Sequence, residues 1–167
     1  VAEKLEYFRR MDPSCRDLSF ATIAGFGANG SIIHYHSTEA SNVDISNNNL
    51  FLLDSGGQYR EGTTDITRVF HFGTPTKAQK SWYTRVLKGH LRLRRTVFCH
   101  GTRGEHLDAI ARLSLWQAYA NYGHGTGHGV GSYLCVHEGP QRISTGATAT
   151  ALLPGMILSN EPGVYLE

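Results

Sequence analysis

Asp54 closes the apolar run LFLLD, and Asp65 opens the run DITRVF. Ser55-Gly56-Gly57 and Gly62 lie between them and allow the chain to fold back sharply. Such a return sets both carboxylates at the same end of two neighbouring strands. Two like charges brought together need a cation or a proton to compensate them; otherwise each acid simply caps a turn. A second group is His124-Gly-Thr-Gly-His128, with His137 nine residues further on. The four-residue spacing equals that of a helical zinc motif, but no Glu follows His124 and two of the three residues between the histidines are glycine. A helix interior is therefore disfavoured. Extended backbone with small residues, where another group approaches closely, fits better. Glu161 ends the apolar run MILSNE, directly before Pro162-Gly163. Taken together, Asp54, Asp65, His128 and Glu161 offer three hard carboxylates and one imidazole. That donor set suits Mn²⁺, Co²⁺ or Zn²⁺. Carboxylates can also bridge two ions about 3.5–4 Å apart, as in two-metal hydrolytic sites.

The elements that must position these residues follow from periodicity and turn chemistry. Glu3–Met11 predicts a short amphipathic helix with Leu5 and Phe8 on one side. Phe20–Ala24 and Ser31–Tyr35 predict strands flanking a glycine-rich turn, and Leu50–Asp54 and Asp65–Phe72 predict two more. Thr74-Pro75-Thr76 opens a helix to about Arg95, with Trp82, Val86 and Leu91 as core positions and Gly89 weakening it. Thr102–Ala120 predicts a second helix that buries Leu107, Ile110, Ala111 and Leu115. Tyr122–Val136 reads as strand and loop, and Pro154-Gly155-Met156 as a turn into a last strand, Ile157–Glu161. Strands, two long helices and then strands make an α+β layout. Gly25-Phe-Gly-Ala-Asn-Gly30 matches G-x-G-x-x-G, but it leads into SIIHY rather than a helix, so it reads as a strand-to-strand turn and not as a dinucleotide site.

The 167 residues are 40% apolar and 10% aromatic, which excludes a disordered or collagen-like chain and is enough for one domain with a sizeable core. The apolar runs fall far short of the roughly 20 residues of a membrane helix. A net charge of +2 gives no general pull toward nucleic acid, although residues 66–104 hold nine basic residues and no acid. That run reads as a solvated helix face. Cys15, Cys99 and Cys135 form neither a CxxC pair nor a disulfide framework, which fits a reducing, cytoplasmic setting. The start at Val-Ala-Glu, with no signal segment, reads as a cut from a longer chain.

The strings LLDSGGQYREGTTDITR, HFGTPT, HGTGHGVGSYLCVHEGP and SNEPGVY closely resemble the catalytic domain of the Xaa-Pro aminopeptidases (aminopeptidase P) of metallopeptidase family M24, in their long, eukaryotic form. The resemblance runs from about Asp17 to the end. It implies the pita-bread α+β fold over residues 1–167, a single catalytic domain lacking upstream domains and final strands. By motif, Asp54 corresponds to a ligand of one metal, Asp65 to a bridging ligand, His128 to the histidine ligand and Glu161 to the first glutamate. His34 in SIIHY, His124 and His137 correspond to histidines that bind the peptide, shuttle protons or stabilise the tetrahedral intermediate, roles that near-neutral pKa values suit.

The resemblance further implies two divalent ions, manganese first, with zinc or cobalt as alternatives. They would activate a hydroxide against the bond between an N-terminal residue and a following proline. It implies a peptide partner with proline in second place, a homodimer for the full-length protein, and neither nucleic acid nor membrane as a partner. A fifth ligand, a bridging glutamate, is expected beyond Glu167, which itself follows too closely on Glu161. These 167 residues alone are therefore expected to hold metal weakly or not at all and to lack peptidase activity. The alternative is a non-catalytic pita-bread module that binds protein or RNA, favoured only by the basic helix Lys77–Arg95.

Overall fold

The structure, a computed structural model, describes residues 1–166; Glu167, and with it the reading of that residue, lies outside the described residues. The chain divides into two compact units, residues 1–76 with 132–136 and 165–166, and residues 77–131 with 137–164. Helices and wholly antiparallel sheets agree with the α+β expectation.

In the first unit, helix α1 (Ala2–Arg10) precedes β1 (Cys15–Leu18), β2 (Ile23–Phe26), β3 (Leu50–Ser55), β4 (Gly57–Tyr59) and β5 (Ile66–His71). Arg9 ties α1 to the strands by donating to Ser55 Oγ (3.0 Å) and Tyr59 Oη (3.3 Å). Strand β3 is central, flanked by β2 and β5. Its alternation buries Phe51, whose ring lies 6.4 Å from that of its cross-strand partner Phe70. The predicted strand Ser31–Tyr35 is not formed. After β2 the chain enters a 3-10 turn, Gly27–Ser31, and then bends again. Ile32 and Tyr35 donate their N–H groups to local carbonyls of Asn29 and Ile32, and His34 has φ 58°, a left-handed conformation no strand accommodates. The β-branched pair Ile32-Ile33, which suggested a strand, is exposed.

In the second unit, α2 (Lys77–Arg95) and α3 (Gly104–Trp116) pack together, followed by two short paired strands, β6 (Gly127–His128) and β7 (Arg142–Ile143). The core gathers Leu93, Leu107, Ala111, Ile143 and Leu152. The α2 core positions differ from expectation: Leu93 is buried, while Trp82, Val86 and Leu91 are only half-buried. Gly89 sets this contact. A Cβ there would collide with the Ala111 carbonyl oxygen, so the residue that weakens the helix locally is what lets α3 approach. Helix α3 buries Leu107, Ala111 and Leu115 as predicted, with Ile110 packed at the edge. It ends at Trp116 rather than Ala120, because Ala118 and Ala120 both donate to Leu115 O and Tyr119 turns to φ 55°. Arg92, Arg94 and Arg95 are exposed, as a solvated face requires.

Candidate functional site

The first unit carries Asp54, Asp65 and His34. Asp54 sits one residue from the end of β3 and pairs with Thr67 of antiparallel β5, and Asp65 immediately precedes that strand. Both aspartates therefore stand at the same end of adjacent strands. The alternation that puts Thr67 on the face of Asp54 leads back two residues to Asp65. The turn between them is built as the glycines suggested: Gln58 bridges to Thr63, Tyr59 N–H donates to Gly62 O (2.9 Å), and Gly57 N–H donates to Thr64 Oγ1 (2.8 Å). His34 is exposed on the bent segment beyond the 3-10 turn.

The second unit carries His124, His128, His137 and Glu161. The predicted strand Ile157–Glu161 is not a regular strand, yet it is hydrogen-bonded along its length to the histidine segment. Val130 N–H donates to Ile157 O (3.3 Å), Ser159 N–H to His128 O (2.9 Å) and Glu161 N–H to Thr126 O (2.8 Å). A bridge joins Gly129 to Leu158. The ladder is irregular because the Ser159 side chain enters it: its Oγ accepts from His128 N–H (2.9 Å) and donates to Glu161 Oε1 (2.5 Å). Gly127 is needed here, since a Cβ would strike the Ser159 carbonyl oxygen.

This pairing brings His128 Nε2 to 3.0 Å from Glu161 Oε1. The His128 and His137 rings lie 4.1 Å apart, edge to face, and the His124 ring lies 4.8 Å from that of Tyr122. None of the three histidines is buried in an apolar core: His124 and His128 are half-buried, and His137 is exposed. Desolvation raises the affinity of Glu161 for a proton, but hydrogen bonds from His128 and Ser159 and the charges of His128 and His124 outweigh it. Its carboxyl titrates below the usual 4.5. A deprotonated carboxylate beside an imidazole nitrogen is a donor pair that fits a divalent ion of borderline character. Cys15 is half-buried and Cys99 and Cys135 are exposed.

The sequence reading passed over Asp108, Arg112, Thr126 and Ser159. The first two are opposite charges four residues apart on the α3 face that also bears Leu107, Ala111 and Leu115, a placement unusual for a solvent-facing pair.

The profile of metallopeptidase family M24 matches residues 1–167. Aminopeptidase P2 of Arabidopsis thaliana is 54% identical over 166 residues, covering 99% of this chain and 23% of the relative. Xaa-Pro aminopeptidase 1 of Dictyostelium discoideum is 50% identical over 167 residues, covering 99% and 26%. Among solved structures, the X-prolyl aminopeptidase of Caenorhabditis elegans, described as a cytosolic enzyme with a di-nuclear active site, superposes with a TM-score of 0.95 at 41% identity, covering 99% of this chain and 27% of that one. The prolidase of Pyrococcus furiosus superposes with a TM-score of 0.85 at 30% identity, covering 99% and 47%. The chain thus spans about a quarter of the length of the curated relatives it matches.

Proposed function

The chain belongs to metallopeptidase family M24, with its pita-bread α+β fold, and from that premise we propose that it is part of a metal-dependent aminopeptidase that cleaves the bond between an N-terminal residue and a following proline. The observation that carries the reading is the His128–Glu161 pair, held at 3.0 Å with the His137 ring beside it. Relatives named as Xaa-Pro aminopeptidases, at about half identity across the whole chain, support the substrate class.

In this reading Asp54, Asp65, His128 and Glu161 would hold the metal. Two divalent ions, manganese before zinc or cobalt, would supply a nucleophile near neutral pH and polarise the carbonyl that precedes proline. The chain's own residues do the rest. His128 N–H is fixed by Ser159 Oγ and its ring by Glu161, so its imidazole presents one orientation. His34, His124 and His137 take the peptide and move protons, a role suited to imidazoles that are at least partly open to solvent. Among the described residues no helix is long and apolar enough to cross a membrane. We place the full-length protein in the cytoplasm as a homodimer, without nucleic-acid or membrane partners.

The test is hydrolysis of a Xaa-Pro peptide by the full-length protein, with metal content measured on the same samples. Asp65→Asn is expected to lose both metal and activity. His124→Ala is expected to cut turnover far more than metal content; equal loss of both would make His124 a ligand. The acid-free, basic helix α2 favours a second reading, a non-catalytic module that binds protein or RNA. Absence of metal and of hydrolysis in the full-length protein, together with salt-sensitive RNA binding, would establish that reading instead.

A further inference from the structure

Asp108 and Arg112 lie on consecutive turns of α3, each about 2% exposed. All five guanidinium N–H groups of Arg112 are directed at acceptors. Nε donates to Asp108 Oδ2 (2.6 Å) and Nη2 to Asp108 Oδ1 (3.2 Å). The other three donors reach the segment that follows the helix: Nη1 to Asn121 Oδ1 (2.8 Å) and Tyr122 O (2.6 Å), and Nη2 to His124 O (2.9 Å). The guanidinium also lies 3.8 Å from the centre of the Tyr122 ring. Asp108 grips the same segment further on, because Thr126 Oγ1 donates to Asp108 Oδ1 (2.6 Å) while sharing a 2.6 Å hydrogen bond with Tyr122 Oη. Thr126 is fully buried, and its carbonyl accepts from Glu161 N–H.

We infer that Asp108 and Arg112 are positioning residues that fix the backbone on both sides of His124 and hand that order on, through Thr126, to His128 and Glu161. This deepens the proposed peptidase reading and rests on it for its catalytic consequence, though not for its structural one. Three arguments carry it. The segment Asn121–Gly125 contains two glycines and lies outside any regular element, so its conformation has no ladder to hold it. A buried ion pair is a weak source of stability, since apolar residues of similar volume often serve the fold as well or better. What an apolar pair could not do is satisfy three acceptors at residues 121, 122 and 124 together with the Thr126 hydroxyl. The planar guanidinium serves the three acceptors with a fixed fork that a lysine ammonium cannot reproduce, and Asp108 takes the Thr126 hydroxyl.

The experiment uses the full-length protein and three variants, Arg112→Lys, Arg112→Met and Thr126→Val. Four readouts are taken: kcat and KM for a Xaa-Pro peptide, metal per chain, thermal midpoint, and hydrogen exchange of the amides from residue 121 to 128. Arg112→Lys keeps a cation beside Asp108 and is expected to fold, yet to lower kcat about ten-fold or more with KM changed much less. Exchange across residues 121–128 is expected to speed up by about ten-fold while the α3 amides stay protected. Thr126→Val removes the hydroxyl links without changing charge. It is expected to show the same pattern more weakly, and it decides the matter if the Arg112 variants fail to fold. Unchanged exchange and unchanged kcat in folded Arg112→Lys and Thr126→Val would overturn the inference, as would loss of kcat only in proportion to a lowered thermal midpoint. If the unmodified protein has no peptidase activity while the variants still release residues 121–128, the peptidase reading fails and the positioning role stands.

Discussion

The two aspartates and the histidine cluster are placed by different physics. Asp54 and Asp65 depend on a backbone ladder: six consecutive residue pairs join β3 to β5, and the register alone sets both acids at one end of the sheet. The histidines depend on side chains. His124 lies on an irregular segment whose carbonyls are bound by Arg112, and the partner of His128 arrives on residues 157–161, whose pairing includes a serine hydroxyl. A ladder is redundant, since each pair supports the next. A side-chain network is not, because one buried group serves several acceptors and its loss leaves each of them unsatisfied. The difference teaches that damage should spread gradually in the first region and fail at single points in the second.

The largest expected effect removes the apolar support of the ladder. Phe51→Ala in β3, a position 4% exposed and in ring contact with Phe70 and Phe72, should cost about 3–5 kcal/mol. Hydrogen exchange of the β3 and β5 amides in the full-length protein would register it. Protection within about 0.5 kcal/mol of the unmodified protein would show that the ladder holds without its apolar face.

Next comes a single-point failure in the second region. Gly127→Ala should destabilise by about 1–3 kcal/mol, because the new methyl meets a backbone oxygen that no side-chain movement can clear. The amides of Ser159 and Glu161, which donate across this pairing, should exchange faster. Gly123, four residues away, has open space around its Cβ position, so Gly123→Ala should stay within about 0.5 kcal/mol. Equal effects at the two glycines would refute the close approach at Gly127.

A smaller effect concerns pH. Burial holds the Tyr122 phenol above its usual value of 10.0, outweighing the opposing influence of its hydrogen-bond partner Thr126 and of the Arg112 charge. The folded state therefore keeps its proton longer than the unfolded chain does. The stability this contributes is complete below about pH 10 and is lost as pH rises through the folded value. Tyr122→Phe should flatten the alkaline limb of a denaturation-midpoint profile. An unchanged slope would mean that other groups set that limb.

The smallest effect is expected on the basic face of α2. Replacing Arg92, Arg94 and Arg95 singly by Gln should change stability by less than about 0.5 kcal/mol and leave peptide hydrolysis intact. Salt-sensitive RNA binding that disappears in these variants would show that the face has a use beyond solvation.

Much of this was legible in the residues themselves. Strands β3 and β5, the turn between Asp54 and Asp65, the two long helices and the inward face of α3 all follow from apolar periodicity and glycine placement, because each is decided by neighbours close in sequence. The closeness of His124, His128 and His137 in sequence, and the donor set of Asp54, Asp65, His128 and Glu161, followed from residue type and spacing, while separate roles for His34, His124 and His137 came only from the family resemblance. Elsewhere distant contacts overrode local preference. Ser31–Tyr35 has strand composition, but the N–H groups of Ile32 and Tyr35 turn back to local carbonyls and the segment joins no sheet. Leu93 rather than Leu91 faces the core because Gly89 fixes where α3 crosses α2. Ile157–Glu161 has the composition of a strand and the hydrogen bonds of one in part, but a serine side chain breaks the regular pattern. Above all, Asp108 and Arg112 show in the sequence only as opposite charges four residues apart on the apolar face of a helix, with nothing nearby in sequence to say what they hold. Only the tertiary structure buries that pair and supplies acceptors 9, 10 and 12 residues away, because what a charged group does is decided by what surrounds it once water has been removed.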